Sequence, residues 1–272
     1  IKSHDEIWKT IDDEFKIIRT TFLFNNYGPL FSNFSKILGE LENIKTDIIL
    51  NAAMDRKKAA QVRYNLIENI NNEKLPTDTA YIIDNLGHLK QLKKQFSEKN
   101  YGFLFRDNFW MVLPGKKELM NSLDINNFNK IKINEMELNK KYNLRFKDDF
   151  LGFGWTHNFS KQGVWSEGKN SFLLFKKPSS KKNLELEINF LPYKGNKLEN
   201  FSTKIFVNKQ IYDEINLQKE NQIKVVFEDN LKSSEIFIKF EFNNIISPFD
   251  ILESPDARRL GILLKSIKIN EI

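Results

Sequence analysis

The feature that most constrains the fold is a succession of short alternating segments in the second half of the chain. From residue 131 onward, apolar and polar residues alternate in one segment after another, with turn-forming residues between them and no helical pattern. Period-two alternation is typical of strands that bury one face, and many such strands without intervening helices favour an antiparallel sandwich. We therefore predict a jelly-roll-like β-sandwich over 131–272. Its clearest strand segments lie at 142–146, 171–175, 184–190, 203–207, 223–227, 236–242 and 260–269.

The first half follows a different pattern, because its apolar residues recur at the spacing of one helix face. Ser3, with Glu6 three residues later, also matches the capping box that starts many helices. The predicted helices cover 3–24, 29–45, 46–73 and a fourth segment from Thr77 or Asp78 to about residue 96, with a strand at 46–50 as the alternative within the third.

The helical pattern ends near residue 100, where aromatic-rich segments begin. Two strands are predicted to form a short hairpin near 103–113, and a polar linker with one weak helical turn is expected at 116–130. We place a domain boundary near residue 130. The predicted fold class is therefore α+β and multidomain, with a mainly helical region at 1–130 followed by the antiparallel β-sandwich at 131–272.

Composition excludes several classes of site. The chain has no cysteine, so it holds no disulfide, thiolate nucleophile or zinc–thiolate centre. Its three histidines, His4, His88 and His157, do not have the spacing of metal ligands. No glycine-rich phosphate loop follows a predicted strand. We therefore predict no metal site and no cofactor.

The charge of the chain allows two interpretations. A net charge of +6 permits an anionic partner, but a solvated lysine-rich surface is the commoner reason for such a charge. The same alternatives apply to Lys90, Lys93 and Lys94 on the fourth predicted helix, whose basic face is either solvated or docks onto an acidic partner or a membrane surface. No nucleic-acid partner is predicted.

The ends and the hydropathy of the chain bear on its location. No apolar run has the length of a membrane span, and the charged start is unlike a signal peptide. The sequence starts at Ile1 rather than Met, so we expect it to be a portion of a longer protein. We expect a cytoplasmic location, which includes the inner face of the membrane.

Candidate site residues cluster around two tryptophans near the start of the predicted sandwich. An indole face stacks on sugar rings because ring C–H groups meet its negative π-face. Planar polar side chains nearby would then hold the sugar hydroxyls. The predicted carbohydrate-binding residues are Trp155, Trp165, Glu167, Asp256, Arg258 and Arg259, and no catalytic residue is assigned.

These residues also have a purely structural interpretation. A tryptophan at a strand start packs into the core, and Asp256 with Arg258 forms an internal ion pair that pins the last strand. His157 stands alone, whereas a catalytic base needs a nucleophile and an orienting partner. The adjacent Asp148 and Asp149 are expected to form a solvated turn.

Five short motifs follow one another in the second half of the chain. They are Gly154-Trp155, Gly163-Val164-Trp165-Ser166-Glu167-Gly168, Asn208, Ser247-Pro248 and Asp256-Ala257-Arg258-Arg259-Leu260-Gly261. In this order they resemble an accessory β-sandwich module at the end of many bacterial glycosyltransferases and related enzymes that build capsules and other surface polysaccharides. The resemblance covers about 131–272. Two departures are that Thr156-His157-Asn158 stands where the family often has Glu, and that Lys rather than Gly follows Asn208.

The resemblance implies the non-catalytic C-terminal portion of a capsular or surface-polysaccharide transferase. Such a module would bind or orient a glycan acceptor, or dock the enzyme onto its catalytic domain or assembly complex. A second hypothesis is that the chain itself transfers a sugar or phosphoryl-type group to a polysaccharide, with Lys and Arg stabilising an anionic leaving group. A third is a structural protein-interaction module in which the Trp and Arg side chains are buried.

Overall fold

The chain forms two compact units, one within Ile1–Asn85 and Leu92–Lys132 and the other within Leu86–Gln91 and Ile133–Ile272. The helix predicted at 29–45 and most of the one predicted at 3–24 lie outside the residues that the structure describes, as do His4 and His157. The computed structural model describes residues 16–19, 56–77, 79–83, 85–96, 101–106, 109–145, 148–156, 162–195, 200–228, 233–253 and 256–272.

The first unit is built around a mixed four-stranded sheet. In chain order, its elements are β1 (Lys16–Arg19), α1 (Arg56–Asn71), β2 (Thr79–Ile83), α2 (Leu86–Phe96), β3 (Tyr101–Arg106), β4 (Phe109–Pro114), a 3-10 turn (Lys117–Leu119) and α3 (Ser122–Lys130). Of α2, only the part from Leu92 onward belongs to this unit. The strands lie in the order β1-β2-β4-β3. The β1–β2 pair is parallel, whereas β4 is antiparallel to both β2 and β3.

Strands replace predicted helices at two places in this unit. β1 lies inside the helix predicted at 3–24, and β2 lies where the fourth helix was predicted to begin at Thr77 or Asp78, so the observed helix starts only at Leu86. The run of β2 is mostly β-branched or aromatic, and such residues fit a pleated sheet better than a helix. Pairing with β1 and β4 therefore overrides the apolar spacing. Within the described segments, no helix has the length and apolar character that a membrane crossing requires.

The predicted linker at 116–130 contains a true helix, α3, with a capping box. The Asn121 side chain accepts a hydrogen bond from the Asp124 N–H at 2.8 Å, and the Asp124 carboxylate accepts one from the Asn121 N–H at 3.2 Å. Asp124 is buried and also accepts a hydrogen bond from the Phe105 N–H at 2.8 Å. This carboxylate therefore starts α3 and ties it to β3, a long-range role that the local pattern does not show.

The second unit is an antiparallel β-sandwich, as predicted for this half of the chain. Its strands are β5 (Lys141–Asn143), β6 (Trp155–Thr156), β7 (Val164–Glu167), β8 (Asn170–Lys176), β9 (Leu184–Pro192), β10 (Ser202–Val207), β11 (Gln210–Asn216), β12 (Gln222–Phe227), β13 (Glu235–Phe242) and β14 (Leu260–Glu271). One sheet has the order β11-β10-β13-β8. The other has the order β12-β9-β14-β7-β6, with β5 also paired to β14.

The core lies between the two sheets and is formed by alternate residues of their strands. In β9, for example, Leu184, Leu186, Ile188 and Phe190 face inward and are at most 2% exposed. The residues between them face outward. β14 pairs with β9 along one side and with β7 and then β5 along the other, so it runs through the middle of its sheet.

The first residues of α2 belong to the second unit and form hydrogen bonds with the segment that precedes β6. The Gln91 side chain accepts a hydrogen bond from the Phe153 N–H at 2.7 Å. The Lys90 ammonium, with a side chain only 2% exposed, donates to Asn134 and to the Asp149 carboxylate, both at 3.0 Å. Lys90 is therefore a buried ion-pair partner rather than part of a basic surface, and Asp149 is not simply part of a solvated turn.

Candidate functional site

Two motifs that lie about ninety residues apart in the sequence are neighbours in the structure. β7 carries the motif Gly163–Gly168, and the start of β14 carries the end of the motif Asp256–Gly261. The two strands pair, with Glu167 opposite Leu260 and Trp165 opposite Leu263. The Gly168 N–H also donates to the Arg259 carbonyl at 2.9 Å. The predicted candidate residues therefore gather at one end of the six-stranded sheet.

Ser166 and Gly261, one from each motif, pin these strands together. The buried Ser166 hydroxyl accepts hydrogen bonds from the Ile262 N–H at 2.8 Å and the Gly261 N–H at 3.2 Å. A Cβ atom on Gly261 would lie 2.7 Å from the Ser166 Oγ and 2.9 Å from the Phe242 ring. The contact between the two strands therefore explains why serine and glycine occupy these positions, without any ligand.

Trp155 belongs to the core, which corrects its assignment to a ligand face. Its side chain is 5% exposed, its ring meets Phe240 edge-on at 5.9 Å, and its Nε1–H donates to the Phe172 carbonyl at 2.7 Å. The preceding Gly154 has φ +87°, and a Cβ atom there would lie 2.1 Å from the Asn170 carbonyl oxygen. Gly154 therefore has no room for a side chain, and the Trp155 ring packs in the core rather than on a ligand face.

Trp165 has the opposite orientation. Its neighbour Val164 points into the core, so the strand alternation turns the Trp165 indole to the outer face of the sheet, where it is partly exposed. The Tyr193 ring, just after β9, meets it edge-on at 5.9 Å. On its other side, Thr156 of β6 lies directly opposite Trp165 in the strand register. One face of the site is therefore an aromatic pair formed by β7 and the residue that follows β9.

Tyr193 is held by a hydrogen bond from its hydroxyl to the Glu253 carboxylate at 2.7 Å. Burial raises the pKa of the Tyr193 phenol, and the hydrogen bond and the negative charge of Glu253 raise it further, with a smaller contribution from Asp256. The phenol therefore remains protonated at neutral pH and acts as a hydrogen-bond donor of fixed direction.

Asp256 and Arg258 form a bidentate ion pair that contacts Thr156, the residue opposite Trp165. The Arg258 Nε donates to both carboxylate oxygens, at 2.8 and 3.0 Å, and Nη2 donates to Oδ2 at 2.5 Å. Its Nη1 reaches the Thr156 hydroxyl at 3.2 Å. The Arg258 and Asp256 side chains are 19% and 26% exposed, so the pair both pins the chain before β14 and presents polar atoms to solvent.

The other predicted residues add no side chain to the group formed by Trp165, Tyr193, Asp256 and Arg258. Glu167 lies opposite Leu260 at the start of β14 and is buried at 3% exposure, so its carboxylate is not presented to solvent. Arg259 is exposed. His157 falls outside the described residues. Among the described residues, no three His, Asp or Glu side chains converge as metal ligands would.

Sequence reasoning missed Tyr193 and Glu253. Tyr193 ends the alternating segment of β9, and an aromatic residue following Leu191-Pro192 at a strand end was the available signal. Glu253 lies in an irregular segment, and its distance of sixty residues from Tyr193 leaves no local pattern that links the two. The site they complete is a partly exposed indole with a phenol, two carboxylates and a guanidinium nearby.

Fold and site together define an antiparallel β-sandwich that carries an aromatic platform on the outer face of one sheet. No protein-family model and no curated protein matches the sequence. Among solved structures, the chain is similar to the CBM36-1 domain of a multidomain xylanase from the hindgut metagenome of Trinervitermes trinervoides, with a TM-score of 0.31 and 9% identity over 49% of this chain and 98% of that one. It is also similar to the xylan-binding module CBM15, with a TM-score of 0.31 and 10% identity over 48% and 95%. A family 35 carbohydrate binding module from an environmental isolate gives a TM-score of 0.25 and 13% identity over 52% and 88%. At these TM-scores the similarity assigns neither a family nor a ligand to this chain.

Proposed function

We propose that the β-sandwich is a non-catalytic glycan-binding module whose platform is Trp165. The observation that carries this proposal is the outward, partly exposed indole of Trp165, which meets Tyr193 edge-on and lies opposite Thr156, the residue to which the Arg258 guanidinium donates. A sugar ring that stacks on the indole would bring its hydroxyls toward these polar groups.

The polar groups around the platform support this role because they are already held in place. The Tyr193 hydroxyl is fixed by Glu253, and the Arg258 guanidinium is fixed by both Asp256 and Thr156. Groups that are ordered before binding lose little conformational entropy when a ligand arrives. Carboxylates accept and the guanidinium donates, so the set matches hydroxyl groups, which do both.

In this proposal, the module is the non-catalytic C-terminal portion of a transferase that builds capsular or other surface polysaccharide. It binds or orients the growing glycan, or docks the enzyme to its catalytic domain or assembly complex at the cytoplasmic side of the membrane. The order of the five motifs supports this context. The finding that Ser166 and Gly261 pin one pair of strands shows why two of those motifs occur together.

The test is calorimetric titration of the whole chain with a panel of polysaccharides. The panel contains the surface polysaccharides of the cell that encodes the chain, together with xylan, β-glucan, mannan and polygalacturonate. We expect saturable binding to at least one of them. Trp165→Ala should weaken it about 30-fold, as expected when a central aromatic contact worth about 2 kcal/mol is removed.

The matched control is Phe206→Ala, because Phe206 is also a partly exposed aromatic but lies on β10 of the other sheet. Both variants must keep the circular dichroism spectrum of the wild type. Retention of full affinity in Trp165→Ala would overturn the site assignment. Absence of binding to every polysaccharide by the folded protein would overturn glycan binding and favour the structural interaction module.

A further inference from the structure

The outer face of the six-stranded sheet continues beyond Trp165 as rows of side chains in register. Trp165, Leu263 and Leu191 are cross-strand partners on β7, β14 and β9, and they form the row that contains the platform. The next outward residues on the same sheet form a second row across β5, β14, β9 and β12. Its members are Asn143, Ser266, Asn189 and Gln222.

The outward direction of the second row follows from its neighbours. Ile188, Ile223 and Ile267, which alternate with its members, are buried in the sandwich core. Strand alternation therefore places the members of the row on the opposite face. Ser266 is itself buried beneath its neighbours at 2% exposure, whereas the three amide side chains reach solvent to differing extents.

The two partly exposed amides on β9 and β12 form a continuous hydrogen-bonded chain. The Gln222 Nε2 donates to the Asn189 Oδ1 at 3.1 Å, and the Asn189 Nδ2 donates to the Glu187 carboxylate at 2.7 Å. Each amide both donates and accepts, as sugar hydroxyls do. The row therefore presents oriented, uncharged hydrogen-bonding groups beside an aromatic platform.

Charged residues lie beyond the amide row, and each of their two carboxylates has a lysine as a neighbour. The Lys224 ammonium lies 2.9 Å from the Glu185 carboxylate, and Lys268 lies opposite Glu187 in the strand register. Lys141 of β5 lies opposite Lys268 at the edge of this row. The amide row itself is uncharged and suits hydroxyl groups, whereas the excess of lysines over carboxylates beside it makes an anionic chain the alternative that the experiment below tests.

Dimensions favour a chain over a single sugar. Four strands at a spacing of about 4.8 Å give the amide row a length of about 14 Å, and it lies about 7 Å from the Trp165 row. We propose, building on the glycan-binding function above, that this row extends the Trp165 site into a track for an uncharged glycan chain of several units, which lies across the strands.

The experiment measures how affinity depends on chain length in the whole protein. The probes are oligosaccharides of one to six units from xylan, β-glucan and mannan, with the galacturonate series as the anionic arm. The variant is Asn189→Ala/Gln222→Ala. Its matched control is Gln210→Ala/Asn243→Ala, which removes two exposed amides at other places on the sandwich.

We expect affinity to rise from one unit to at least three. The track variant should weaken binding of the longer probes about tenfold and leave binding of the monosaccharide unchanged, because two hydrogen-bonding side chains are lost. The control variant should match the wild type. Affinity that does not depend on length, or a track variant equal to its control, would overturn the track.

The outcomes separate this inference from the function on which it rests. Binding that disappears in Trp165→Ala but survives unchanged in the track variant overturns the track alone. Binding of the galacturonate series only overturns the assignment to uncharged glycans. Absence of binding to any probe or polysaccharide overturns both proposals together.

Discussion

Replacing His88 with Phe should remove a defined part of the pH dependence of folding. His88 lies on α2 in the second unit, is 4% exposed, and stacks on Phe153 with ring centroids 4.0 Å apart and planes 12° from parallel. Burial lowers its pKa from the usual 6.5 to about 3, against a smaller opposing effect of a hydrogen bond with the Gly152 backbone. The imidazole is therefore neutral in the folded protein at neutral pH.

The size and sign of the effect follow from linkage. The unfolded chain binds a proton at His88 near pH 6.5, whereas the folded chain does so only near pH 3, so the free energy of unfolding falls as the pH decreases between these values. One proton corresponds to about 1.4 kcal/mol per pH unit, which gives a loss of about 2 kcal/mol between pH 7 and pH 5. His88→Phe retains a stacking ring but has no proton to bind.

Urea denaturation of wild type and variant at pH 7 and pH 5, followed by tryptophan fluorescence, measures this difference. All other titrating groups are common to both proteins and cancel. We expect the wild type to lose about 2 kcal/mol more than His88→Phe on going to pH 5. Equal losses would refute the reasoning, as would an imidazole NMR resonance, missing in His88→Phe, that titrates near pH 6.5 in the folded protein.

Three further predictions concern the core, the phenol and the strand pin. Trp155→Ala should lower stability by about 4 kcal/mol and the melting temperature by about 10 °C, measured by calorimetry, because it empties a core position; a change below about 1 kcal/mol would contradict its burial. In an alkaline titration followed by tyrosinate absorbance, wild type and Tyr193→Phe should give the same curve through the ordinary tyrosine range, since burial and Glu253 raise the pKa of Tyr193; an extra step in the wild type would argue against the Glu253 contact. Ser166→Ala should cost about 2 kcal/mol by leaving buried N–H groups without their acceptor. Gly261→Ala should cost less in that background than alone, with a coupling of at least about 0.5 kcal/mol in a double-mutant cycle; strict additivity would show that the two residues do not interact.

Local patterns were sufficient to predict where strands of the second half lie, but not which way a given side chain faces. Trp155 and Trp165 both lie within two residues of a glycine and near the beginning of a strand, so their local sequences do not assign them to opposite faces. The structure buries one and turns the other outward. Register shifts in β14, between Leu260 and Leu263 and again between Leu264 and Ser266, change the facing of its residues relative to a simple alternation.

The Asp256–Arg258 pair shows the same limit at the level of function. Its spacing was compatible with a ligand site and with an internal ion pair, and the structure contains the ion pair with part of each side chain still accessible. Tyr193 and Glu253, which complete the site, meet only because the end of β9 and the segment before β14 converge. Contacts between residues this far apart leave no periodic trace in either segment.

The sequence by itself determined the sandwich, because period-two alternation is a local property that each strand carries independently of its partners. Only the tertiary structure decided that β2 is a strand, since its pairing with β1 and β4 outweighs a helical spacing of apolar residues. It also decided the outward facing of Trp165 and the amide row beside it. Those features depend on register, and register is set by hydrogen bonds between strands that are distant in the chain.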